Sequence, residues 1–211
     1  MKTVDWYFDF VSPFSYLQLF RFADLPKDVE ISFHPVLFAG LLGNWGHKGP
    51  AEIPTKRIFT MRYVAWLARR DAIPYALPPA FPFNSIRALR LCVALGSPRP
   101  VVETIFRCVW QDGLLPDDDD GWRAIADAVG AANADQLVAE AEVKAALIAN
   151  GERAQELGIY GVPTFDAGGE LFWGADAIDF LLEFLGDPGL LKQDEIARIA
   201  ATPSSVRLPG A

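Results

Sequence analysis

The sequence predicts an α/β fold interrupted by a large all-α insertion. Three observations carry this reading. Residues 4–34 run strand, turn, helix, strand. Residues 158–185 run turn, strand, hairpin, strand, helix. Between them, over about 40–150, helix-period patterns and proline breaks appear but no strand pattern. The expected division is 1–38 with 151–188 for the α/β part, 39–150 for the inserted helices and 189–211 for a C-terminal tail.

Each element follows from its residues. Val4, Trp6, Tyr7, Phe8, Phe10 and Val11 are the aromatic and β-branched types a buried strand prefers. Ser12 is a good N-cap, and Pro13 suits the first helical position, where a missing N–H costs nothing. Tyr16, Leu17, Leu19, Phe20 and Ala23 give residues 13–25 a helical apolar face. Residues 29–34 alternate apolar and polar. A strand, helix and strand this close make a βαβ unit, so the two strands are expected to be parallel neighbours.

Residues 38–50 read as a Gly-rich connection carrying Asn44, Trp45, His47 and Lys48. An amphipathic helix is expected over 55–72, then a proline-rich connector over 74–83, where Pro74, Pro78, Pro79 and Pro82 cannot share one helix. Asn84 is positioned to cap a helix over 85–96. Further helices are expected at 100–112, 120–130, 134–140 and 142–157. The chain then returns to strands, with Asp166–Gly169 as the hairpin turn, and to a helix over 175–185. The tail, with Pro188, Pro203 and Pro209, is expected to wrap the surface, with a mobile end.

Composition sets the class. In 211 residues, 51% are hydrophobic and 22% charged, ample for a core. The net charge of −8 argues against nucleic acid or an anionic membrane as partner, though a local site for a small anion stays open. Cys92 and Cys108 sit in apolar surroundings and read as free core thiols. Asp5 and Asp9 interrupt the first apolar run, and no apolar stretch is long enough to span a membrane, so a soluble cytoplasmic protein is expected. The run Asp117–Asp120 lacks the spacing, glycine and glutamate of a calcium loop, so no metal is expected there.

Two motifs carry chemistry. Ser12-Pro13-Phe14-Ser15 stands at the first strand-to-helix turn. A serine hydroxyl has no accessible thiolate, so disulfide exchange by this motif is excluded. What it offers is a donor for an anion. Gly161-Val162-Pro163-Thr164-Phe165 puts a proline at a strand start after Gly-Val, which resembles the position that carries a cis peptide bond in thioredoxin-fold proteins, so a cis Val162–Pro163 bond is expected from that resemblance.

The first motif has the place and shape of the Cys-x-x-Cys turn of thioredoxin-fold proteins, with both cysteines replaced by serine. The run Tyr7–Leu17, the stretches Ile53–Arg57 and Phe81–Arg90, and Gly161–Phe165 with Phe172–Asp176 together resemble the kappa-class glutathione transferases, and most of all their 2-hydroxychromene-2-carboxylate isomerase branch. The resemblance implies a thioredoxin fold with a large all-α insertion, and glutathione as cofactor. It implies Ser12 as hydrogen-bond donor to the glutathione thiolate. The Val162 backbone, beside Pro163, would pair with the cysteinyl backbone like an added strand. Ala175 and Asp176 match the γ-glutamyl end, and Lys56 a cation for the glycine carboxylate. His47 stands where many relatives have asparagine.

The implied reaction is reversible thiolate addition that isomerises 2-hydroxychromene-2-carboxylate to trans-o-hydroxybenzylidenepyruvate. Trp45, Phe59, Tyr63 and Phe83 are candidate pocket walls, and Asn84, Ser85 and Arg87 candidate polar contacts to a small aromatic carboxylate. A homodimer is implied as well. Two other classes stay open: a kappa-class transferase or peroxidase on another electrophile, and a non-catalytic thioredoxin-fold binding protein. A serine hydrolase is disfavoured, since Gly-x-Ser-x-Gly is absent and only His34 and His47 could act as base.

Overall fold

Strand β1 (Lys2–Phe8) organises the sheet. The structure is a computed structural model that describes residues 2–203. β1 pairs in parallel with β2 (Val29–Pro35), Trp6 opposite Phe33. It pairs antiparallel with β3 (Thr164–Ala167), Trp6 opposite Phe165. β4 (Glu170–Trp173) closes a hairpin on β3, and the order is β2-β1-β3-β4. The crossover between the parallel strands is helix α1 (Pro13–Leu19) and a 3-10 turn at Phe22–Asp24. This is the α/β arrangement the sequence predicts, with the first strand ending at Phe8 and the first helix at Leu19, both short of the predicted limits.

A strand's period of two puts Val4, Trp6 and Phe8 on one face and Asp5 and Tyr7 on the other. Trp6 is fully buried. It stacks on Phe8 at 4.6 Å and meets Phe22 and Phe33 edge-on at 4.9 and 5.8 Å. On the opposite face Tyr7, Val36, Leu41, Ala154, Ile159 and Val162 form a smaller apolar cluster.

The insertion is helical, with one element the sequence did not reveal. Residues 38–45 form helix α2 (Phe38–Trp45) inside the stretch read as a Gly-rich connection. Gly40 and Gly43 face open space, while Leu41 is buried on the second cluster, so packing outweighs their low helix propensity. Gly46, at φ +63°, ends the helix in the left-handed conformation. α3 (Pro54–Arg70), α4 (Ile86–Ala94), α5 (Arg99–Trp110), α6 (Asp119–Ala128), α7 (Ala134–Ala139) and α8 (Ala141–Glu156) follow close to their predicted places. α9 (Ile178–Gly186) is preceded by a 3-10 turn at Ala175–Ala177.

Sheet and insertion share one core. A single buried cluster runs from Val4 and Trp6 through Phe106 and Trp110 to Trp122 and Leu147. Phe106 of α5 lies 4.7 Å from Phe10 and 5.6 Å from Phe8. The Trp110 indole donates to the Phe10 carbonyl at 2.8 Å, and the Tyr16 hydroxyl donates to the Pro74 carbonyl.

The aspartate run is a helix start. The Asp118 side chain accepts from the Asp120 and Gly121 amides, both at 3.1 Å, and Asp119 and Asp120 lie in the first turn of α6. Among the described residues no group of three or more metal-ligating side chains is assembled, and no helix is long and apolar enough to cross a membrane. Residues 204–211, including Pro209 of the expected tail, lie outside the described residues.

Candidate functional site

β1 delivers the chain to the turn Asp9–Ser12. The Ser12 amide donates to the Asp9 carbonyl at 3.0 Å. Ser12 is extended (φ −88°, ψ 110°), and its Oγ accepts from the Ser15 amide at 3.2 Å, capping α1. Only 6% of Ser12 is exposed. Ser15 is fully buried, and its Oγ has no hydrogen-bond partner among the described residues.

Behind this turn sits Asp9, a fully buried carboxylate with no ion pair among the described residues. Its Oδ1 accepts from the Val11 amide at 3.0 Å, and its Oδ2 from the Phe38 amide at 2.8 Å. The Ser85 hydroxyl donates to it as well. One carboxylate thus joins the Ser12 turn to the starts of α2 and α4. Burial pushes its carboxyl above the ordinary carboxylate range, and the bonds from Ser85, Val11, Phe38 and Phe10 oppose that rise.

Beside the turn opens a cleft of about 870 Å³. Val162, Pro163, Ala175 and Asp176 line it, so four predicted site residues meet in one cavity. The Val162–Pro163 peptide is cis, as the sequence reading expects; Phe81–Pro82 is also cis, which it did not anticipate. Gln18 holds the cleft floor: its Oε1 accepts from the Trp6 indole at 2.6 Å, and its Nε2 donates to the Gly174 carbonyl at 2.9 Å. Gly174 has φ +102°, which only glycine adopts freely, and a Cβ there would lie 2.6 Å from Asp176 Oδ1. Trp173 lies across Gly161, where a Cβ would meet the indole nitrogen at 2.5 Å.

The outer wall of the cleft is α3. Phe59, Tyr63 and Trp66 are exposed and stacked at 5.9 and 6.0 Å, and Tyr63 lines the cleft together with Phe14. The Arg70 guanidinium lies 5.2 Å from the Trp66 ring and also reaches the cleft.

The other predicted residues lie elsewhere. Ser12, Trp45, His47 and Lys56 are not in the cleft lining. Trp45 is 44% exposed, and its indole donates to the Ile159 carbonyl at 3.0 Å, tying α2 to the loop before Val162. His47 is exposed just past α2, and Lys56 is exposed in the first turn of α3. Three expected substrate contacts have partners within the chain. Ser85 is buried with its hydroxyl on Asp9. Asn84 Oδ1 accepts from the Ile86 amide at 3.0 Å, so its side chain serves the start of α4. Arg87 lies 4.4 Å over the Trp122 ring and pairs with Asp135 at 3.0 Å, clamping α4 to α6 and α7. Of the expected aromatic walls, Phe83 is buried in the core beside Trp110.

The chain's own thiols are poor nucleophiles. Both cysteines are buried, and burial pushes the Cys92 thiol up to about 12. A sulfur nucleophile at Ser12 has to come with a ligand.

Residues 3–186 match the model of the DSBA-like thioredoxin domain. The chain belongs to that family. Within it, the chain is 29% identical over 202 residues to a 2-hydroxychromene-2-carboxylate isomerase of Sphingobium xenophagum, covering 88% of this chain and 99% of the relative. It is 25% identical over 210 residues to glutathione S-transferase kappa 1 of Caenorhabditis elegans, covering 89% and 92%. The solved structure of a 2-hydroxychromene-2-carboxylate isomerase superposes with a TM-score of 0.76 at 24% identity, over 96% of this chain and all of that one. This DSBA-like thioredoxin domain therefore has isomerases and glutathione transferases as its kin, and the helical insertion is part of the shared fold.

Sequence reasoning missed three features of the site. Asp9 was visible as a lone acid between Phe8 and Phe10, but its four donors come from separate parts of the chain. Gln18 carries no motif, and Arg70 reads as an ordinary helix-end cation.

Proposed function

We propose that the protein is a glutathione-dependent isomerase that interconverts 2-hydroxychromene-2-carboxylate, or a close aromatic analogue, and its trans-o-hydroxybenzylidenepyruvate form. The observation that carries this is Ser12: a helix-capping, nearly buried hydroxyl at the β1–α1 turn of a DSBA-like domain, two residues ahead of Phe14 in the cleft wall. The isomerase and transferase kinship supports the same reading.

The residues fit the cofactor. Glutathione is an extended tripeptide with a thiol, two carboxylates and one ammonium. The cleft offers the Val162–Pro163 segment and the Asp176 carboxylate, which forms no ion pair among the described residues. Lys56 and His47 are exposed donors for the glycine carboxylate. When bound, glutathione supplies the nucleophile: a thiolate that adds reversibly to a conjugated double bond, lets it rotate and departs unchanged. Ser12 donates to that sulfur and lowers the thiol pKa from about 8.5; each unit of lowering needs about 1.4 kcal/mol, within reach of one charge-assisted hydrogen bond. Val162 aligns the cysteinyl backbone, and Asp176 accepts from the ammonium. Trp45 holds α2 against the Val162 loop. Orientation of the two reactants supplies the rest of the acceleration.

The substrate named for the isomerase relatives supports a small aromatic carboxylate as this protein's substrate, and a cytoplasmic homodimer is part of the same proposal. A kappa-class transferase would use the same Ser12 on another electrophile. The test is turnover of hydroxychromene carboxylate followed by absorbance, with and without glutathione. Conversion that requires glutathione and leaves it unconsumed supports the isomerase. Glutathione consumption with conjugate formation supports the transferase, and conversion without glutathione contradicts both.

A further inference from the structure

β2 is an edge of the sheet, and a second groove of about 770 Å³ runs beside it. The groove shares no lining residue with the cleft beside Ser12. Val29, Glu30, Ile31, Ser32 and Phe33 line it in unbroken succession. A groove over one face of a sheet takes every second residue, so this one follows the side of the strand. Phe22 and Leu25, both buried, and the loop of residues 96–99 ahead of α5 complete it.

The main chain along this side is open. In a strand the N–H and C=O of one residue point the same way, and successive residues alternate. The Lys2 amide donates to the Asp28 carbonyl and the Val36 amide to the Phe8 carbonyl, both at 2.9 Å. Even-numbered residues of β2 therefore face β1, and Val29, Ile31, Phe33 and Pro35 face away from it. Proline suits that position, since its missing N–H would have pointed out of the sheet. The ends of this row are occupied. The Val29 amide donates to the Pro26 carbonyl at 2.9 Å, and Asn150 Nδ2 donates to the Pro35 carbonyl at 3.0 Å. Between them, no hydrogen bond from a loop, helix or side chain reaches the Val29 carbonyl or the amides and carbonyls of Ile31 and Phe33 among the described residues. Such a row is a template for another extended chain. The charge of the groove also selects. Lys27 and Arg99 line it against Glu30 alone, in a chain of net charge −8. Arg99 also meets Glu103 at 2.6 Å, an exposed pair that is weak in water.

We infer that the β2 edge is a docking site for an extended, acidic segment of a partner protein, which adds a strand to the sheet. Its main chain pairs with Ile31 and Phe33, its apolar side chains meet Phe22 and Leu25, and its carboxylates meet Lys27 and Arg99.

Hydrogen exchange and titration with three forms of one short peptide test this: valine alternating with glutamate, the same sequence fully N-methylated and so without main-chain donors, and valine alternating with lysine. In the dilute free protein the Ile31 and Phe33 amides are expected to exchange fast and those of Glu30, Ser32 and His34 slowly. The glutamate peptide is expected to slow Ile31 and Phe33. N-methylation and the change to lysine are each expected to weaken binding about tenfold or more. Lys27→Glu with Arg99→Glu, both exposed positions, is expected to reverse the preference between the two charged peptides. Ile31 and Phe33 amides already protected in the dilute free protein overturn the site, because the edge is then covered. Protection that grows with protein concentration assigns the edge to a second copy and overturns it as well. So does a glutamate peptide that fails to bind, that binds without slowing these two amides, or that binds no better than its N-methylated form.

Discussion

Asp9 carries a pH signature. Its folded pKa is raised, burial being the largest cause, so between the ordinary value of 3.8 and the folded value the native state holds a proton that the unfolded state has lost. Stability from this group is complete below the ordinary value and is lost as pH rises through the folded one. The melting temperature of the wild type is therefore expected to fall relative to Asp9→Asn as pH climbs out of the ordinary carboxylate range. A difference that stays flat with pH contradicts this. Ser15 gives a second prediction. Its buried Oγ has no partner among the described residues, so Ser15→Ala removes an unsatisfied group, and denaturant titration is expected to show unchanged or higher stability. A loss of more than about 1 kcal/mol would mean the hydroxyl is satisfied. At this scale the sequence is only half legible. The capping role of Ser12 follows from residue type and position. The convergence of the Val11, Phe38 and Ser85 donors on Asp9 depends on how distant segments pack.

The elements nearest the cleft are held by close packing, most tightly where Trp173 of β4 lies across Gly161. Gly161→Ala places a methyl carbon 2.5 Å from the indole nitrogen, so either the ring or the loop before Pro163 must move. A loss of about 1–3 kcal/mol in denaturant titration is expected, with a change in tryptophan fluorescence. Unchanged stability and fluorescence would contradict the packing. The strands were legible because β-branched and aromatic residues alternate there, and α3 to α8 because their apolar spacing is helical. α2 was not: its three glycines, one of them the cap, read locally as loop, and only Leu41 and Trp45 packing onto distant residues makes it a helix. The same reason explains why Asn84, Ser85 and Arg87 read as substrate contacts. Each is a polar group in a suggestive run, and each turns out to have a structural partner.

Across the whole molecule, sheet and insertion share one core, so they are expected to unfold together. Trp6→Ala empties a fully buried site lined by Phe8, Phe22 and Phe33, and a loss of about 3–5 kcal/mol is expected. Circular dichroism from the helices and tryptophan fluorescence from the core should shift by the same amount. Separate transitions would show two independent units. Fold and family were readable over nearly the whole chain because the two landmark motifs bracket the insertion. The central claim is that Ser12 stabilises a glutathione thiolate. The measurement that tests it most directly is the thiol pKa of bound glutathione, read from thiolate absorbance against pH at saturation set by calorimetry. The account predicts a pKa well below about 8.5 in the wild type and a return toward that value in Ser12→Ala. An unshifted pKa in the wild type, or the same shift in both proteins, would contradict it.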